Sequence, residues 1–166
     1  MAPTISDLDR IDRRLLALLQ KNARMTNKEL AAEVGLAPSS CHNRVQRLIE
    51  TGVVRGFHAD VDPKALGIGL QAIVAVQLTG NPRERSESYV SEIRSLPEVV
   101  NVFHVAGRND LLLHVAVRDV EHMHQLVMDK LSSRPEVNQL ESALIYEHMS
   151  APTLPDLVDS PARQKA

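Results

Sequence analysis

Residues 38–50 read "PSSCHNRVQRLIE". Ser39, Ser40, His42, Asn43, Arg44, Gln46 and Arg47 all carry hydrogen-bonding groups, and none of them is acidic. Asn and Gln match the donor–acceptor edge of adenine and Arg that of guanine; hydroxyls and Arg also hold phosphates. Cys41, Val45 and Leu48 fall at i, i+4 and i+7, an apolar stripe that would face a core. Ser39, Ser40, His42, Asn43, Gln46 and Arg47 then point outward, with Arg44 at the flank. Such a face suits a helix lying in the DNA major groove. The alternative is a plain three-helix packing domain whose polar face is merely solvated.

The neighbouring residues supply the elements that would position this helix. Leu8, Ile11, Leu15, Leu18 and Leu19 form one stripe on a first helix, with Ser6 or Asp7 as its start. "TNKE" offers a capping box, Thr26 with Glu29, for a short second helix that turns Leu30, Ala31 and Val34 inward. Gly35 closes that helix, Pro38 suits the first turn of the third, and Gly52 ends it. Two helices joined by a Gly-containing turn have helix-turn-helix spacing. "VVRGFHADV" then alternates like a strand, a candidate wing. It contains no Asn-Gly or Asp-Gly pair, so a second wing strand must come from elsewhere.

Farther along, "SLPEVVNV" (95–102) is echoed 38 residues later by "SRPEVNQL" (133–140). Each copy follows a helical pattern: Tyr89, Val90, Ile93 and Leu96 before the first, Val120, Met123, Val127 and Leu131 before the second. Pro97 and Pro135 stop the helices. Upstream of each lies a Val/Ile/Leu-rich run, "LQAIVAVQL" and "DLLLHVAV", and downstream an extended one. Strand, helix, strand occurs twice, the ferredoxin-like order. The central runs are apolar at nearly every position, so both sheet faces want burial. Two helices cover one face. The other is expected to pack on a second copy of the chain about a two-fold axis.

Composition narrows the class. Residues 1–60 hold nine Lys/Arg against seven Asp/Glu, and the remainder ten against fourteen, so the more basic part comes first. No run approaches the ~20 apolar residues of a membrane span, and "MAPTISDLDRIDRR" lacks a signal-peptide core. Cys41 is the single cysteine, which excludes an intramolecular disulfide and a multi-cysteine zinc site and fits a reducing cytoplasm. His122 and His124 point to different helix faces, and no metal, cofactor or enzyme motif is present. The Pro-rich end, "SAPTLPDLVDSPARQKA", is expected to be mobile over its last dozen residues.

The stretch "LDRIDRRLLALLQKNARMTNKELAAEVGLAPSSCHNRVQRLIETGVVRGFHADVDPKALG", with "VFHVAGRNDLLLHVAV" and "LIYEH", resembles the Lrp/AsnC, or feast/famine, regulators over roughly residues 7–150. The resemblance implies an α+β fold: an N-terminal winged helix-turn-helix followed by a ferredoxin-like βαββαβ sensor domain. It implies dimers assembling into larger rings, commonly octamers, and transcriptional control of amino-acid metabolism. It also implies an amino-acid effector between sensor domains, beside a Gly-x-x-Asp hairpin, here Gly107, Arg108, Asn109 and Asp110. A turn offers free backbone groups to an α-carboxylate and α-amine, and Asp110 would hold the ammonium. The alternative role for Gly107 and Asp110 is to shape a tight turn. Ala106, Arg108, Asn109 and Leu111 depart from the usual pattern around this hairpin, and Ala37 sits where a capping Ser or Thr is common.

The expected organisation is a DNA-binding domain over 1–60, a linker over 61–69, an effector-binding and oligomerisation domain over 70–150 and a tail over 151–166. The expected partners are double-stranded DNA, further copies of the chain and an amino acid, with no membrane and no cofactor. A second reading is a ligand-binding oligomeric allosteric protein whose N-terminal helices assist assembly without touching DNA.

Overall fold

A computed structural model of the chain describes residues 8–79, 89–149 and 153–158. It falls into two compact units, Met1–Asp60 with Met149–Ala166, and Val61–His148.

In the first unit, α1 (Arg10–Lys21) opens on a reciprocal capping box of Asp9 and Asp12. The helix therefore starts later than Ser6 or Asp7, because Asp9 is the first acid with a partner three residues on. Helix α2 (Asn27–Val34) has the Thr26/Glu29 box and ends on Gly35, left-handed at φ 69°. Helix α3 (Pro38–Glu50) begins at Ala37, which supplies no side-chain cap, with Pro38 in its first turn. The Asn27 amide donates to the Pro38 carbonyl at 2.7 Å and ties the starts of α2 and α3 together. Leu15, Leu19, Leu30, Ala31, Cys41 and Leu48 form the core. Each buried leucine is worth roughly 1.5–3 kcal/mol of transfer free energy.

No strand forms over residues 53–61. Val53 and Val54 both pack on the helical core, and the Val54 N–H donates to the Leu48 carbonyl at 2.9 Å. Two successive side chains on one side break the alternation a strand needs, and among the described residues nothing pairs with this segment. The strand expected over this run is therefore not formed. Of the dozen residues expected to be mobile, 159–166 lie outside the described residues; just ahead of that dozen, the Leu154 N–H donates to the Gln20 side chain at 2.7 Å.

The second unit is a four-stranded antiparallel sheet in the order β2-β3-β1-β4. The strands are β1 (Leu70–Leu78), β2 (Val99–His104), β3 (Leu111–Val117) and β4 (Val137–Leu144). Helix α4, described over 89–93, precedes β2, and α5 (Val120–Gln125) runs on into a π-helical turn over Leu126–Leu131 before β4. Tyr89, Ile93, Met123, Leu126 and Leu131 cover one face, where Ala72, Val74, Val76, Leu111, Leu113, Val115 and Val117 are fully buried. The anticipated stripe through Val120 is corrected: Val120 is 70% exposed and Leu126 takes its place in the core. The π turn adds one residue, so buried Leu126 is followed by buried Leu131 five positions on rather than three or four.

The echo is structural. The Val99 N–H donates to the Leu96 carbonyl at 3.1 Å, and the Val137 N–H to the Arg134 carbonyl at 3.0 Å. The carbonyls of Glu98 and Glu136 then each accept a bond of 2.8 Å, from Ala116 in β3 and from Thr79 just past the end of β1. Each corner turns the chain from helix into edge strand by the same bonds.

Candidate functional site

On α3, Cys41 and Leu48 are buried and Val45 half-buried, as the stripe requires. Ser39, Ser40, His42, Asn43 and Gln46 are exposed, and among the described residues their side chains carry no hydrogen bond or ion pair. Arg44 and Arg47 differ. Arg44 Nη1 donates to Asp9 Oδ2 at 2.6 Å and to Asp12 Oδ1 at 2.9 Å, and Arg47 Nη2 donates to Asp12 Oδ2 at 2.5 Å. Asp12 is 0% exposed, so two guanidiniums on α3 meet one buried carboxylate on α1. The backbone N–H of Asp12 is the main cause holding the Asp9 carboxyl below its ordinary value; burial opposes it and Arg44 assists. Asp9, then Asp12, holds the Arg44 guanidinium above its own.

The Gly107–Asp110 hairpin is held by one bond of its own and three to β1. Gly107 has φ 143°, a conformation side chains resist. The Val105 N–H donates to the Asp110 carbonyl at 3.1 Å, and the Asp110 N–H to the Val76 carbonyl at 2.9 Å. Asp110 Oδ2 accepts from the Leu78 N–H at 2.8 Å, and Gln77 Nε2 donates to the Arg108 carbonyl at 2.8 Å. One carboxylate oxygen thus secures the end of β1. Gly107 and Arg108 are exposed, Asn109 and Asp110 half-buried. A trough of about 500 Å³ lies along the outer edge of β2, walled by Val90, Arg94 and His104; no hairpin residue lines it.

Residues 8–55 match the family described as winged helix-turn-helix DNA-binding, and residues 71–154 match the Lrp/AsnC ligand binding domain. The chain is 47% identical to the HTH-type transcriptional regulator AldR of Mycolicibacterium smegmatis, over 86% of this chain and 84% of that one. It is 34% identical to the leucine-responsive regulatory protein of Klebsiella pneumoniae, over 86% and 87%. A transcriptional regulator from Neisseria meningitidis, solved in complex with L-Met, superposes with a TM-score of 0.83 at 32% identity, over 91% and 97%. This chain belongs to the Lrp/AsnC family.

Within an Lrp/AsnC regulator the two units have distinct work: the helical one binds DNA and the sheet unit is the ligand-binding domain. It is a transcriptional regulator and not an enzyme. No described helix is long and apolar enough to cross a membrane. The family description includes a wing, yet 53–61 here carry none of its strands. Residue types alone pass over Asp12, because an acid beside an apolar stripe reads as a solvated neighbour. The available signal is the pairing of Asp-x-x-Asp at the start of α1 with Arg-x-x-Arg on α3, each set spaced to share a helix face.

Proposed function

We propose that the exposed row Ser39, Ser40, His42, Asn43 and Gln46 reads base edges and phosphates, while Arg44 and Arg47 serve first as a clamp to α1. The carrying observation is that, among the described residues, these five side chains stand exposed and unengaged on a helix pinned to α1 through Arg44 and Arg47. Hydroxyls and amides suit base edges and phosphates. The sensor unit takes an amino acid beside Gly107, Arg108, Asn109 and Asp110, with exposed backbone supplying polar contacts and Asp110 holding the hairpin in shape. The complex of the Neisseria relative with L-Met supports that ligand class.

Ile73, Ala75, Leu112 and Ala116 alternate onto the sheet face away from the helices and lie outside the core, with Phe103 49% exposed beside them. A second copy covers this face, and two readers are thereby set on one duplex. Such dimers assemble further, to an octamer, in the cytoplasm, and the effector biases that assembly and with it the control of genes for amino-acid metabolism. The test is a duplex selected from a random pool by the full chain, then titrated with protein in the presence of each of the twenty amino acids. One or a few amino acids are expected to shift the binding curve. A pool that yields no preferred duplex removes the DNA reading, and twenty unchanged curves remove the effector.

A further inference from the structure

Burying a carboxylate among the apolar side chains of a small helical core is costly, and an apolar residue of similar size commonly serves stability as well. Asp12 is nevertheless fully buried on the helix that supplies Leu15 and Leu19 to the core, with Oδ1 on Arg44 and Oδ2 on Arg47. Arg44 also reaches Asp9. Lysine is absent from α3, so its two arginines are its whole set of permanent cations. Both are matched by acids of α1. A reader helix presented to a polyanion would gain affinity from free arginines, and here they are held away.

We infer that Asp12 is a positioning residue for DNA recognition: through Arg44 and Arg47 it fixes α3 against α1 and keeps their charge from the phosphate backbone. The inference rests on the reading of α3 as the DNA-facing helix. Its consequence concerns selectivity. Sequence-independent affinity grows with each phosphate neutralised, at about 0.9 in the slope of log K against log salt. Cancelling both arginines lowers the affinity for every sequence, while Asn43, Gln46 and the serines retain the discrimination. Removing a buried acid that touches no DNA is therefore expected to strengthen binding to the wrong DNA.

The test compares the full-length wild type with Asp12→Asn, Asp9→Asn and Asn43→Ala/Gln46→Ala. The probes are the duplex selected by the wild type and a random-sequence duplex of equal length, each titrated over a range of salt. Asp12→Asn is expected to tighten binding to the random duplex about tenfold, with the salt slope steeper by about one to two. The preference for the selected duplex falls correspondingly. Asp9→Asn keeps a good N-cap, so it folds, and shifts slope and preference the same way by less. Wild-type slope and preference in both Asp variants would overturn the inference. If Asp12→Asn fails to fold, as circular dichroism would report, Asp9→Asn decides alone by the same criterion. Asn43→Ala/Gln46→Ala separates the two claims. If it loses the preference while the Asp variants behave as wild type, only the role of Asp12 falls. If it keeps the preference, the assignment of α3 as reader falls too.

Discussion

Among the described residues, the two units each bury one carboxylate and fasten it to a later helix, but they do so unequally. Asp12 gives each oxygen to a guanidinium, at 2.9 and 2.5 Å, and Oδ2 also accepts from the Asp9 N–H at 3.3 Å. Glu98, 8% exposed at the first echo corner, gives one oxygen to two bases, Lys130 at 2.8 Å and His122 at 3.2 Å. Its other oxygen is buried without a partner among the described residues. Lys130 reaches this site because the π turn brings it round to the side of His122, eight residues earlier. Burial pushes the Glu98 carboxyl up, and Lys130, a backbone N–H and His122 together hold it below its ordinary value. Guanidiniums stay charged at any workable pH and fit a carboxylate by shape; an ammonium and an imidazole do neither as well. The helical unit therefore depends on one rigid clamp, whereas in the sheet unit the ladder bonds carry the architecture and the ion cluster trims one corner.

The sharpest way to break this contrast is to delete both acids. Asp12→Ala leaves two arginines facing an apolar core and removes half of the α1 capping box. The expected loss is roughly 3 kcal/mol, near the low end for breaking a buried pair, since the arginines remain partly wet. Glu98→Ala should cost about half of that, because Lys130, with 42% of its side chain exposed, can turn to water. Hydrogen exchange in the full chain assigns each loss to its unit, the first in α1–α3 and the second at β2 and α5. Equal losses would show that the geometry of the clamp is irrelevant.

A second difference appears in alkali. Tyr89 is buried in the sheet unit, and its hydroxyl donates to the Leu131 carbonyl at 3.3 Å. Burial pushes its pKa up to about 12 from 10.0. The folded unit thus binds this proton more tightly than the unfolded chain. The resulting stability is complete below pH 10 and lost as pH rises to about 12, a change of roughly 2 kcal/mol. The helical unit has no tyrosine in residues 1–60. Urea melts between pH 10 and 12 should fall more steeply for wild type than for Tyr89→Phe, with the difference confined to the sheet unit. Parallel pH slopes would mean that the phenol is not buried as described.

Much of this was legible from residue spacing. Stripes at i, i+3 and i+4 locate three N-terminal helices, and Val/Ile/Leu-rich and extended runs on either side of two helical patterns locate four strands. The echo at Pro97 and Pro135 is readable because one turn geometry is used twice. What spacing does not convey is a change of period or a partner far away in sequence. The π turn over Leu126–Leu131 shifts the phase of the helix end, and nothing in local composition marks it. The run from Val53 to Val61 reads as alternating, but Val53 and Val54 both pack on the helical core. Arg44 and Arg47 are legible as the cations of α3, but their bonds to Asp12, 32 and 35 residues away, are not. At the hairpin, Gly107 is legible as a turn residue, while the bond from Leu78 to Asp110 depends on where β1 ends.

The smallest expected effect sharpens the comparison at the start of α3. Asp9 and Thr26 cap α1 and α2 through their side chains, but Ala37 offers α3 only an extended backbone at φ −63° and ψ 144°. The clamp grips residues 44 and 47, so the first turn, which carries Ser39 and Ser40, is held by Pro38 and the Asn27 amide. A serine at an uncapped start accepts a bond from the first-turn N–H groups and is worth about 1 kcal/mol. Ala37→Ser should therefore raise the stability of the helical unit by about that amount and slow exchange in the first turn of α3. The clamp residues do not change, so the salt slope of DNA binding should stay at the wild-type value. If stability does not rise, the Asn27–Pro38 bond already holds the start of α3, and the helix is secured at both ends rather than at one.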